Sequence, residues 1–413
     1  MNRRRVVITG MGAISPIGHT AAESWQAAKQ GVCGVGPITR YDTSAQKIKI
    51  AAEIKNYNSE EFFSKKELKH MPYFTQFAVI SAREAMKDSG LVLENEDLDR
   101  CGVMFSSGIG GLETIEEEHD RGLARGFDRV SPFYIPMSIS NMAAGQIAID
   151  YGFRGPCTCP VSACASGTYA VGDGFHMIRD GYTDIMLCGG TESGMTPLAV
   201  GGFTAMRALS SSEDCSRASI PFDGERNGFV MGEGAASLVI EELEHALKRG
   251  ARIYAEVVGY GMSCDAYHIT APEPDGRGGA KAMQNAVEDA GIQPEQVQYI
   301  NAHGTSTKLN DSGEVTAIKK YFGEHAYKLA VSSTKSMTGH MFGAAGAMEA
   351  VFTAMALYDQ FIPATINYKV PDPECDLDVV PNTGRRCDIQ YALSNSFGFG
   401  GHNGTLLLKK WEA

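Results

Sequence analysis

Three short segments carry residue types from which acyl chemistry can be built: Val161–Gly167 (VSACASG), Asn301–Thr307 (NAHGTST) and Lys335–His340 (KSMTGH). Cys164 follows a short apolar run and precedes small residues that permit a tight turn into a closely packed helix. A thiol at a helix N-terminus meets a dipole that favours thiolate, the nucleophilic form. His303 and His340 stand in hydroxyl- and glycine-rich loops at predicted strand ends, where α/β proteins place their sites. One thiol with two imidazoles, on separate segments, is what thioester handling needs. The thiolate takes up an acyl chain, and two ring N–H groups hold charge developing on a second thioester oxygen. Lys335 shares the His340 loop and could lower the thiol pKa, or be held by a carboxylate such as Glu314 and order the site; the second role is preferred. Asn395–Gly401 (NSFGFGG) could offer backbone N–H groups to an oxyanion, or simply be a tight turn between strands.

These residues need a scaffold, and the pattern supplies one. Strand-like apolar runs at Arg5–Thr9, Cys101–Ser106, Asp184–Cys188, Ala235–Ile240, Tyr254–Val258, Tyr299–Ala302, Ala330–Ser332 and Thr405–Leu408 alternate with helix-like segments. That alternation predicts an α/β architecture with buried sheets. A faint internal repeat runs through it. Val6–Gly12 resembles Ala255–Gly261, Cys101–Gly108 resembles Val297–Gly304, Val161–Cys164 resembles Val331–Thr334, and Gly228–Gly234 resembles Gly398–Gly404. The order of all four pairs is preserved. Two halves of similar topology, 1–250 and 251–413, would leave this trace, with residues 30–75 and 110–140 as insertions in the first.

Composition narrows the function classes. The 413 residues can bury a large core, and a net charge of −12 argues against nucleic acid as the main partner. Ten cysteines spread along the chain read as reduced cytosolic thiols, so a cytoplasmic location is expected. Cys157 and Cys159 lack the second pair that a zinc site needs. The apolar run after the basic start is too short for an export signal, and no stretch approaches a membrane span. The glycine loops at Gly10–Gly12 and Gly108–Gly111 invite a dinucleotide reading. Ser15 and Glu113 stand where each third glycine should be, so neither motif is complete. His119, His245 and His325 read as solvated helix residues.

Taken together, the four motifs resemble, nearly end to end, the elongating β-ketoacyl-[acyl-carrier-protein] synthases of bacterial fatty-acid synthesis, in their synthase II branch. The resemblance implies the thiolase fold, two duplicated halves stacked as an α-β-α-β-α sandwich, and a homodimer. It implies that Cys164 accepts the acyl chain, that His303 and His340 bind the malonyl thioester and stabilise the enolate left by decarboxylation, and that the N–H groups of Cys164 and Phe399 form an oxyanion hole. Phe399 would also gate the site. Lys335 paired with Glu314 would support the histidines; Thr305, Thr307 and Thr270 would hold the phosphopantetheine arm that arrives on acyl carrier protein; Ile109 would line the far end of the acyl pocket. No catalytic cofactor is implied, although Asn301, Glu349, Ser394 and Asn395 match ligands of a structural monovalent cation (K⁺ or Na⁺). Lys65, Lys69, Arg129 and Arg207 match carrier-docking positions, with Lys66 nearby; Lys65, Lys66 and Lys69 read equally well as a solvated helix face. His402 and Asp128 depart from the family pattern, which has Thr and a basic residue there.

Two rivals are separable on pattern. An initiating synthase would have Asn for His340, and a thiolase would carry a cysteine within Tyr391–Gly404. A polyketide ketosynthase shares the same triad and is harder to exclude; a free-standing chain makes it the less expected reading. A non-catalytic chain-length subunit would lack Cys164.

Overall fold

The computed structural model describes residues 3–412. Ten strands form one sheet: β1 (Val6–Ile14), β2 (Cys101–Ser106), β3 (Cys157–Thr158), β4 (Ile185–Glu192), β5 (Gly234–Glu242), β6 (Ala255–Cys264), β7 (Tyr299–Asn301), β8 (Ala330–Ser332), β9 (Tyr391–Gly398) and β10 (His402–Lys410), in the order β8-β7-β9-β10-β6-β1-β5-β4-β2-β3. Read outward from its centre, each side repeats one plan. β1 pairs antiparallel with β5, as β6 does with β10, and the three outermost strands on each side are parallel. The halves join where Val6–Ile8 pairs antiparallel with Ala255–Val257. The repeat seen in the sequence is therefore this duplication, with Val6–Gly12 on β1 matching Ala255–Gly261 on β6.

Six helices complete the layers: α1 (Tyr73–Ser89), α2 (Met142–Tyr151), α3 (Ser166–Arg179), α4 (Arg277–Ala290), α5 (Lys308–Phe322) and α6 (Ala345–Asp359). Helices α1 and α2 cover the first half, α4 and α5 the second, and α3 packs against α6 between them. Apart from the edge strand β3, the strands are largely buried on both faces, so their alternation sorts side chains into two cores rather than into core and solvent. On β5, Leu238 and Ile240 face the central helices, while Ala235 and Val239 face α1. Ile300, Val331, Leu393 and Leu407 form the matching outer core beneath α4 and α5.

The glycines of the first repeat are explained by this packing. A Cβ on Gly12 would lie 2.0 Å from the Ser81 carbonyl oxygen of α1, and one on Gly261 would lie 2.0 Å from that of Ala282 on α4. Helix and strand backbones touch at both places, so Gly10 and Gly12 belong to a strand and form no phosphate loop. Sequence reading found eight of the ten strands, mostly too short. It passed over β3, which has two residues, and β9, whose polar Ser394-Asn-Ser396 reads as loop although all three side chains are buried. His245 is no solvated residue either: its ring lies 2.8 Å from both Glu241 and Glu96. His325 is half-buried, with Nε2 2.9 Å from the Val297 carbonyl oxygen.

Candidate active site

Cys164 occupies the turn Ala163–Ala165 that leads into α3. Ala163 has φ 51°, a left-handed conformation unusual for a residue with a Cβ, and this sharp elbow presents the thiol at the helix start. The small residues beyond it let α3 meet α6 backbone to backbone: a Cβ on Gly167 would stand 2.6 Å from the Ala347 amide nitrogen.

The two histidines arrive from the second half. His303 follows β7, and its loop is fixed by Glu314, which accepts from the amides of His303 (2.9 Å) and Gly304 (2.8 Å) and from Asn395 Nδ2 (3.2 Å). His340 donates its amide to the Val230 carbonyl (2.7 Å), and its own carbonyl accepts from Gly232 (2.8 Å). The imidazole centroids lie 5.4 Å apart with planes at 85°. Phe229 and Phe342 pack on His340, and Phe397 on His303.

Lys335 is fully buried, paired with Glu349, and its Nζ lies 3.4 Å from His303 Nδ1. The expected Lys335–Glu314 pair is therefore corrected. Glu314 spends its oxygens on amides, and Glu349, reaching from α6, is the partner. An ammonium has only donors, so Lys335 faces the Nδ1 lone pair and leaves the His303 proton on Nε2. Burial first, then the Lys335 charge, holds both imidazoles well below their usual pKa, so both are neutral near pH 7. Burial also pushes the Cys164 thiol up to about 12, against the Lys335 charge and the backbone N–H groups of Phe399 and Cys164, which favour thiolate. Desolvation thus outweighs these groups, and at rest Cys164 is a thiol rather than the thiolate a helix start alone would favour.

A cavity of about 660 Å³ joins these groups. Cys164, His303, His340, Phe399, Ile109, Thr270, Thr305, Thr307 and Arg207 all line it. Thr305 Oγ1 and Thr307 Oγ1 are 2.9 Å apart. Phe399 sits in Gly398–Gly401, where Gly400 and Gly401 have φ 87° and 77°, and a Cβ on Gly398 would be 2.5 Å from the Ser162 carbonyl oxygen. Asp265 and Asn403 brace this turn: Asp265 donates its amide to Gly401, Asn403 Nδ2 donates to Asp265 (2.7 Å), and Gly400 donates to the Ile269 carbonyl (2.8 Å). The His402 ring stands edge-on to Tyr169, beside Gly400.

Lys65, Lys66, Lys69 and Arg129 are exposed and lie outside the cavity, as does Asp128. Of the expected docking residues only Arg207 reaches its rim. Sequence reasoning missed Phe229, Phe342, Asp265, Asn403 and Glu192. Aromatic and acidic residues scattered over 200 positions give no local signal, although the asparagine two residues beyond the glycine turn could have been weighed.

The candidate cation ligands converge in part. Asn301 and Ser394 are register partners on β7 and β9, and Asn301 Nδ2 lies 3.4 Å from the Glu349 carbonyl oxygen. Asn301 Oδ1, Ser394 Oγ and Glu349 Oε2 are buried without a hydrogen-bond partner, a donor set that fits a hard monovalent cation. Asn395 does not fit through its side chain, because Oδ1 accepts from Thr405 (2.9 Å) and Nδ2 serves Glu314.

Comparison with known proteins agrees with this geometry. Residues 3–246 match the family model "Beta-ketoacyl synthase, N-terminal domain", and residues 254–369 match "Beta-ketoacyl synthase, C-terminal domain". The chain is 54% identical over 410 residues to 3-oxoacyl-[acyl-carrier-protein] synthase 2 of Staphylococcus aureus (strain N315), covering 99% of each chain. It is 52% identical over 413 residues to the enzyme of that name from Synechocystis sp., covering 100% of this chain and 99% of the relative. Among solved structures, a ketosynthase in complex with its type II polyketide acyl-carrier protein superposes with TM-score 0.92 at 36% identity, covering 99% of this chain and 100% of that one. A β-ketoacyl synthase from Burkholderia phymatum STM815 gives 0.91 at 34%, with the same coverage. With its thiol, paired imidazoles and duplicated sheet, the chain belongs to the β-ketoacyl synthase family.

Proposed function

We propose that this enzyme condenses malonyl-acyl carrier protein with an acyl chain held on Cys164, lengthening the chain by two carbons and releasing CO₂. The carrying observation is that one cavity holds a buried thiol, two neutral imidazoles and the Phe399 turn. In the first step the Cys164 sulfur attacks the acyl thioester of a carrier. The N–H groups of Cys164 and Phe399 receive the oxyanion, and the thiol proton leaves with the departing phosphopantetheine sulfur, so the exchange is balanced. In the second, the malonyl thioester oxygen accepts from His303 Nε2–H and from His340. Loss of CO₂ leaves an enolate that these donors stabilise. Its carbon attacks the Cys164 thioester carbonyl, and the acyl C–S bond breaks. The Cys164 sulfur leaves as thiolate and takes a proton from solvent to regenerate the thiol. Neutral imidazoles are competent for this task, since each keeps one ring N–H to donate to the developing charge.

Thr305, Thr307 and Thr270 lie where the phosphopantetheine arm would pass, Ile109 where the acyl chain would run, and Phe399 where it would gate the two substrates. Arg207 at the rim, with Lys65, Lys69 and Arg129, would receive the acidic carrier. A structural K⁺ or Na⁺ would sit among Asn301, Glu349 and Ser394. The chain would divide into halves near residue 250. A homodimer would cover β3, an exposed sheet edge flanked by exposed Ile149 and Val161. Ten free cysteines suit a reducing cytoplasm, and among the described residues no helix is long and apolar enough to cross a membrane.

The test is intact mass after incubation with acyl-carrier thioesters of graded length. An acyl adduct that disappears in Cys164→Ala supports the reading; an adduct that persists there refutes it. A polyketide ketosynthase is the second reading, favoured by the 36% identical solved relative. Repeated extension without reduction of the β-keto group would distinguish it.

A further inference from the structure

One fully buried carboxylate beside the cavity has no part in the steps above. Glu192, at the end of β4, accepts four hydrogen bonds, and among the described residues these donors rather than a paired cation offset its burial. Oε1 takes Ser107 Oγ (2.8 Å) and the Ile109 amide (3.3 Å); Oε2 takes the amides of Gly108 (2.8 Å) and Gly343 (3.0 Å). It therefore ties the loop carrying Ile109 to the turn carrying Phe342. The junction leaves no slack, since a Cβ on Gly343 would stand 2.3 Å from the Gly108 amide and one on Gly108 would stand 2.8 Å from Glu192 Oε2. Phe342 is held at φ 44°, and its ring packs on His340 (5.0 Å) and Phe203 (5.1 Å). Ile109, Phe203 and Phe342 line the cavity with Cys164. Burial pushes the Glu192 carboxyl up, and the hydroxyl and three amides it accepts from favour its ionised form against that.

We propose that Glu192 is a positioning residue that fixes the spacing of Ile109 and Phe342 beside Cys164, and so sets which acyl chains the tunnel admits. This rests on the condensing reading above. Glu192→Gln is nearly isosteric, but turns an NH₂ group toward N–H and O–H donors, so one side of the clasp must open. Ser107→Ala removes one donor and leaves the carboxylate in place.

The assay is kcat/KM for acylation of Cys164 by palmitoyl- and butyryl-carrier thioesters, read by intact mass. In Glu192→Gln the palmitoyl-to-butyryl ratio should change by about tenfold, the scale of one lost hydrogen bond to a buried charged acceptor. Ser107→Ala should shift it in the same direction by less, and decides the matter should the first variant not fold. A ratio equal to the parent's, with only a lowered Tm, would overturn the proposal and leave Glu192 a stabilising residue. Lack of any adduct in the parent would instead overturn the condensing reading, and this inference with it.

Discussion

Removing the Lys335 ammonium, as in Lys335→Met, strikes two functions at once, and the structure separates them. Lys335 and Glu349 are both buried, and the Glu349 carboxyl is pushed up to about 7 by burial even with the lysine beside it. Breaking one partner of such a pair costs about 3–5 kcal/mol, because the other charge stays buried and unpaired. Glu349 can escape by taking a proton, which makes the cost depend on pH. A carboxyl whose folded pKa exceeds its unfolded value destabilises the fold as pH rises from the unfolded pKa through the folded one. Without Lys335 that folded pKa climbs further, so the window extends upward from about 7. Between pH 6 and 8 the variant should lose up to about 2.7 kcal/mol, against about 1.4 kcal/mol for the parent, whose carboxyl finishes ionising near 7, at about 1.36 kcal/mol per unit. Urea unfolding at the two pH values measures this. Replacing both residues, Lys335→Met with Glu349→Gln, should recover most of the stability, since no lone charge remains. Malonyl decarboxylation should not recover, because His303 Nδ1 still lacks its donor. The same loss at both pH values, or activity restored in the double variant, would refute the reasoning.

Other consequences are as direct. Ile109→Phe fills the cavity with a ring that displaces about three methylenes, each worth about 0.8 kcal/mol. Acylation by the longest chains should fall roughly 50-fold against short ones, read by adduct mass. Gly12→Ala and Gly261→Ala each drive a Cβ into a helix carbonyl 2.0 Å away. Each should destabilise by about 1–3 kcal/mol or more, and a calorimetric scan with unchanged Tm would contradict the packing. His245, between Glu241 and Glu96, has its pKa raised above 6.5, chiefly by Glu241. Its contribution is full below the unfolded value and fades as pH rises through the folded one. The stability gap between parent and His245→Gln should therefore be wider at pH 6 than at pH 9, by urea midpoint.

That Cys164, His303 and His340 belong together could be read from the chain because each sits in its own short window of glycines and small polar residues. So could the duplication, since Gly12 and Gly261 answer the same local demand, a helix laid directly on a strand. Strand β9 could not, because its Ser394-Asn395-Ser396 is polar by composition and buried only because neighbouring strands and helices enclose it. Nor could the partner of Lys335. Glu314 and Glu349 are equally plausible along the chain, and only folding turns the first toward the His303 amide and carries the second on α6 to the ammonium. Phe342, Asp265 and Glu192 gain their roles in the same way. Spacing along a chain records what a residue's immediate neighbours require. A buried ion pair or a cavity wall depends on which distant segments the layers bring within a few ångströms, and that is settled when the cores close.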